Sequence, residues 1–124
     1  MSKTVLFVDD SATMQQVADI TFRGTEFSFV GATSAEAALA QARSQRPSVV
    51  LADAHMPGKT GYDLCQDLKS DPALADVPVV ILCGNTAAYD PTRGTQVAAD
   101  GTLAKPWDST QLIDKLGEIL QKVA

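Results

Sequence analysis

The chain has 124 residues, 45% of them hydrophobic and 20% charged, with a net charge of −5. That length carries one domain with a single core, here residues 1–124, and is too short for two. The acidic balance and the absence of a basic cluster argue against nucleic-acid binding by this chain, and no apolar stretch approaches the roughly 18–20 residues that span a bilayer.

The elements alternate between strand and helix. Thr4 to Val8 is continuous and partly β-branched, and predicts a first strand. Ser11 to about Arg23 predicts a helix with Met14, Val17, Ala18 and Phe22 on one face. Phe27 to Gly31 is a short second strand. Thr33-Ser34-Ala35-Glu36 has the form of a capping box opening an alanine-rich helix to about Ser44. Ser48 to Ala52 is apolar on both faces, as a buried parallel strand should be. A Pro- and Gly-rich loop follows from Asp53 to Thr60. Thr60 and Asp63 form a second capping box, for a helix to about Ser70. Val77 to Cys83 is a fourth strand and Thr102 to Ala104 a brief fifth. Asp108 and Gln111 cap a last helix that turns Leu112, Ile113, Leu116, Ile119 and Leu120 inward. Between them, Asn85 to Ala99 holds Pro91 and Gly94, so the helix expected there should be short, kinked or displaced. Strict alternation of this kind predicts a doubly wound parallel α/β sheet with helices on both faces.

Chemistry-bearing residues stand at the ends of the apolar runs. Asp9 and Asp10 end the first, Asp53 the third, and Lys105 the last. In a parallel sheet these ends share one edge, where open α/β sheets bind ligands. Three carboxylates share a small site only if a cation joins them or their protons are held more tightly. A hard divalent ion such as Mg²⁺ suits an all-oxygen site, and the lysine marks where an anion would sit. Asp9 or Asp10 alone could be an ordinary helix cap. Cys65 and Cys83 follow no disulfide spacing, and Met1-Ser2-Lys3 runs into a strand without a signal-peptide pattern, so reduced thiols and a cytoplasmic location are expected.

Taken in order, Val8-Asp9-Asp10-Ser11, Leu51-Ala52-Asp53, Met56-Pro57-Gly58-Lys59-Thr60-Gly61-Tyr62 and Lys105-Pro106-Trp107 resemble the CheY-like receiver domain of two-component response regulators. The resemblance implies a flavodoxin-like sheet of order 2-1-3-4-5 between five helices. It implies that Asp53 is the phosphoacceptor, loaded by a sensor histidine kinase or phosphotransfer protein. Asp9, Asp10, Asp53 and the backbone carbonyl of His55 would hold Mg²⁺, with Mn²⁺ as a substitute, and Lys105 would pair with the phosphoryl oxygens. Such a domain is a signalling module, not an enzyme, beyond its own phosphorylation and dephosphorylation. Its output would run through contacts with a downstream protein target, as a monomer or weak dimer.

Two positions depart from the family. Receivers usually carry Ser or Thr where this chain has Cys83, and Tyr or Phe where it has Thr102. A thiol is a weak donor, so the conformational response is expected to be non-standard even where the acidic chemistry is kept. Thr86 is a nearby hydroxyl that would substitute if the loop were rearranged. The alternative is a pseudo-receiver that docks partners without phosphorylation. A phosphatase of the haloacid dehalogenase type would need a second Asp at position 55, where this chain has His55. A flavin carrier would need a phosphate loop in place of the acidic Asp9-Asp10-Ser11.

Overall fold

Short β-branched runs that are apolar on both faces pair here into one parallel sheet. A computed structural model describes residues 3–25, 27–54, 56, 58–83, 100–104 and 109–123. The strands are β1 (Lys3–Val8), β2 (Phe27–Ala32), β3 (Val49–Asp53), β4 (Val79–Cys83) and β5 (Gly101–Ala104). Their order is β2-β1-β3-β4-β5, all neighbours parallel, as expected. The helices among the described residues are α1 (Ala12–Phe22), α2 (Ala35–Ser44), α3 (Gly61–Ser70) and α4 (Ser109–Val123).

Alternation along the strands divides the core in two. Leu6, Val8, Val50, Ala52 and Ile81 pack with the alanines of α2 and with Leu64, Cys65 and Leu68 of α3. Val5, Phe7, Leu51, Val80 and Leu82 pack with Ala18 and Phe22 of α1 and with Leu112, Leu116 and Ile119 of α4. Every residue of β3 and β4 is buried, because helices cover both faces of the central strands.

The helix starts follow local hydrogen bonding. Ser11 caps α1 and accepts from the Met14 N–H at 3.3 Å. Thr60 and Asp63 form the expected capping box, closing both reciprocal bonds at the head of α3. At α2 the expected box is corrected: the cap is Ser34, which accepts from Ala37, and Glu36 lies within the first turn.

Val17 also departs from expectation. It is 41% exposed, and Ile20 is 64% exposed. The inward stripe of α1 runs Met14–Ala18–Phe22 in steps of four. Val17 lies about 100° around the helix from Ala18, off that stripe. In α4, Leu112, Leu116 and Ile119 are buried and Ile113 is half-buried, as expected. The expected cap Asp108, the inward Leu120 side chain and the segment Asn85–Ala99 lie outside the described residues.

Candidate functional site

Register brings the acidic residues together. Val8 pairs with Ala52, so Asp9 and Asp53 stand side by side at the carboxyl ends of adjacent central strands. Asp9 is 1% exposed, Asp53 is 6% exposed, and Asp10 faces solvent. Carboxylate oxygens of Asp9, Asp10 and Asp53 all lie within 4.8 Å of one another. The helix-cap reading of the two aspartates fails, because Ser11 takes that role. Asp9 instead accepts the Ser11 backbone N–H on Oδ1 at 2.9 Å, which turns the chain out of β1 into α1.

The donor set fits a hard cation. It is all oxygen, it is carried by two rigid strand ends, and two of its three carboxylates are buried. Burying anionic groups is costly unless their charge is compensated, and oxygen-only sites suit Mg²⁺ over softer metals.

Two glycines shape the surroundings. Gly61 begins α3 so close to β3 that a Cβ there would lie 2.4 Å from the Asp53 carbonyl oxygen. Only a residue without a side chain lets the helix start against the strand end. Gly58, at φ +75°, turns the intervening loop in the left-handed region. The next residue, Lys59, is engaged away from the acidic cluster: its ammonium reaches Asp67 at 2.8 Å, and that bond raises its proton affinity.

Cys83 ends β4, one residue past the Leu82 partner of Asp53. Its side chain belongs to the α2/α3 core and is 8% exposed. Its Sγ lies 3.8 Å from the Thr102 hydroxyl oxygen, so the two positions where the chain departs from the receiver pattern touch each other. Cys83 pairs in register with Ala104, the residue before Lys105. Lys105, His55, Thr86 and Trp107 lie outside the described residues. Cys65 is buried under α3, and burial pushes its thiol up to about 11, as befits an inert packing residue.

The family model for the response regulator receiver domain matches residues 5–117. The chain belongs to that family. As a receiver, it is 31% identical over 122 residues to the DNA-binding response regulator MtrA of Mycolicibacterium paratuberculosis, covering 98% of this chain and 53% of the relative. It is 26% identical to the phosphate regulon transcriptional regulatory protein PhoB of Pseudomonas aeruginosa, again over 98% of this chain and 53% of the other. The receiver thus spans about half the length of these curated relatives. Among solved structures, the chemotaxis protein CheY4 of Vibrio cholerae superposes with a TM-score of 0.88 at 26% identity, over 96% of this chain and 99% of that one. The signal receiver domain of a histidine kinase from Syntrophus aciditrophicus gives 0.87 at 26%, over 98% and 92%.

Sequence reading missed two residues at this receiver's site. Gly61 appeared only as part of a motif, and its contact with Asp53 is set by how α3 docks. Gln15 is the other, sharing the Ala18–Phe22 face at spacings of three and seven. A polar residue on an otherwise apolar stripe was the available signal.

Proposed function

We propose that this receiver takes a phosphoryl group on Asp53 from a phosphohistidine donor and signals through protein contacts. The observation that carries the reading is the close group of Asp9, Asp10 and Asp53 at the shared carboxyl edge of β1 and β3, in a chain of the receiver family. A carboxylate oxygen of Asp53 would form the new bond to phosphorus while the donor's phosphorus–nitrogen bond breaks and its electron pair returns to the imidazole. Asp9, Asp10, Asp53 and the His55 carbonyl would hold Mg²⁺. Bound there, the ion supplies charge neutralisation for the phosphoryl oxygens. Lys105 would act as a second positive charge on those oxygens. Lys59 does not compete for that role, since its partner is Asp67. The residues from 1 to 124 read as one receiver unit, working in the cytoplasm.

The partners follow from the same surface. α1 begins directly after the acidic pair and exposes Val17 and Ile20, an apolar pair one turn apart on the helix. This is where a helical phosphodonor domain would dock. With its net charge of −5, the receiver itself has no electrostatic footprint for DNA. Any DNA-directed output would come from a further domain, as in the longer curated relatives named above.

The second reading, a docking module that works without phosphorylation, is favoured by the Cys83–Thr102 contact. A weak thiol donor and a small hydroxyl residue stand where the family's switch pair usually lies. One experiment separates the two. The protein is incubated with Mg²⁺ and acetyl phosphate and its intact mass is measured, with Asp53→Asn as control. Gain of one phosphoryl group, lost in the control, is the expected result. No gain, with a phosphohistidine donor also failing, would leave the docking reading standing.

A further inference from the structure

Gln15 is the polar member of the inward face of α1, and its carboxamide reaches across two strand ends. Nε2 donates to the Ala32 carbonyl at 2.8 Å and to the Asp9 carbonyl at 3.0 Å, with a longer contact of 3.4 Å to the Phe7 carbonyl. All three partners are acceptors, which fixes the orientation of the amide. The Ala32 carbonyl also accepts the Asp9 N–H at 3.1 Å. Both sides of Asp9 are thereby tied to the end of β2: its N–H directly, its carbonyl through Gln15.

The Asp9 carbonyl belongs to the peptide plane joining Asp9 to Asp10. Peptide planes are rigid, so holding that oxygen fixes ψ of Asp9 and with it the place of the Asp10 nitrogen and Cα. The path on which the chain then leaves β1 sets where the Asp10 side chain starts, and it carries the Ser11 N–H that donates to Asp9 Oδ1 at 2.9 Å, so it bears on both carboxylates. The side chain that holds the plane has its own seat. A Cβ on Gly31 would lie 2.2 Å from Gln15 Oε1 and 3.2 Å from its Cδ. Position 31 therefore has to lack a side chain for Gln15 to lie where it does.

We propose that Gln15 is a positioning residue for the acidic site, and that Gly31 is its seat. Gln15 aims Asp9 and Asp10 without touching the metal or the phosphoryl group. The inference rests on the reading of Asp9, Asp10 and Asp53 as a Mg²⁺ site.

The test is calorimetric titration of the purified chain with MgCl₂, with circular dichroism and denaturant unfolding in EDTA on every variant. Gln15→Ala and Gln15→Leu remove the donor. Gln15→Glu keeps the size but sets an acceptor against three carbonyls. Gly31→Ala keeps the glutamine but fills its seat. Loss of a residue that orients ligands costs about 10–100-fold in metal affinity, and that loss is expected for each variant that keeps the native circular dichroism. The Gln15→Ala/Gly31→Ala double variant should be no weaker than Gly31→Ala alone, because both changes break one device. A purely structural role would lower the unfolding midpoint and leave the Mg²⁺ affinity of the folded protein unchanged. Folded Gln15 variants that bind within about twofold of the wild type, far from the expected loss, would overturn the proposal while the wild type still binds. So would a double variant whose loss is the product of the two single losses. A wild type that binds no Mg²⁺ would instead overturn the underlying metal reading.

Discussion

Asp53→Asn removes one of three negative charges whose oxygens lie within 4.8 Å of one another, with almost no change of shape. Two unit charges at that distance repel by about 3.5 kcal/mol at an effective dielectric of about 20. Screening at the exposed Asp10 and hydrogen bonds to the carboxylates reduce this, so a net gain of about 1–3 kcal/mol is expected for the metal-free fold. Unfolding entropy of about 2.1 cal/mol/K per residue gives roughly 0.26 kcal/mol/K for a chain of this length. The variant should therefore melt about 4–11 °C above the wild type in EDTA at low ionic strength, and the gap should narrow with added salt. Mg²⁺ should close most of that gap, or reverse it where the metal-free gain is at the low end. At a hundred times its dissociation constant a ligand stabilises by about 2.7 kcal/mol, or about 10 °C here, and the variant should forfeit most of that. Differential scanning calorimetry with and without Mg²⁺ reads both effects. A variant that melts at or below the wild type in EDTA, or that gains as much from Mg²⁺, would refute the repulsive, metal-binding reading of the cluster.

Gly61→Ala sets a methyl group 2.4 Å from the Asp53 carbonyl. It should cost about 1–3 kcal/mol of stability by overpacking and slow phosphorylation by acetyl phosphate, whereas Gly58→Ala should cost stability alone. Val17→Asp with Ile20→Asp should slow phosphotransfer from a protein donor about tenfold, equivalent to about 1.4 kcal/mol of docking, and leave uptake from acetyl phosphate unchanged. Equal loss with both donors would remove α1 from the docking surface. Lys69 bonds Asp100 at 2.9 Å and the Val77 carbonyl at 3.1 Å, tying the end of α3 to the entry of β5. Lys69→Met should lower stability by about 1–2 kcal/mol, since the pair is partly exposed and Asp100 still accepts the Val79 N–H; urea unfolding checks this. The Cys65 thiol is pushed up from 9.0 to about 11 by burial. The folded state then holds a proton that the unfolded state releases, so the contribution is constant below pH 9 and stability declines as pH rises from 9 toward 11. Cys65→Ala should flatten that decline in unfolding titrations, and Cys65 should resist alkylation at pH 8 until the chain unfolds.

Strand identity and the acidic stations were legible because each rests on local pattern, and strand order because the motifs resemble a family whose order is shared. Runs such as Val49–Ala52 and Val79–Leu82 are apolar on both faces, which marks central parallel strands. Thr60 and Asp63 announce a helix start by chemistry that closes within four residues. Alternation then implies the shared carboxyl edge at which Asp9, Asp10 and Asp53 meet.

Quantities that depend on how elements dock were not legible. Val17 has the spacing of a core residue, but the packing of α1 chose Met14, Ala18 and Phe22 and turned Val17 outward. Gln15 resembles any polar helix residue until β1 and β2 bring three carbonyls to its amide. Gly61 becomes obligatory only because a strand end occupies the space where its Cβ would stand, and Gly31 matters only because the Gln15 carboxamide rests where its Cβ would stand. By itself, the sequence determined the parallel sheet and the type of chemistry at its edge, since apolar periodicity and charge are properties of the chain, while the strand order came from the family resemblance. Tertiary structure alone decided the aim of that chemistry, because close packing across segments far apart in sequence sets which peptide planes and side chains are held.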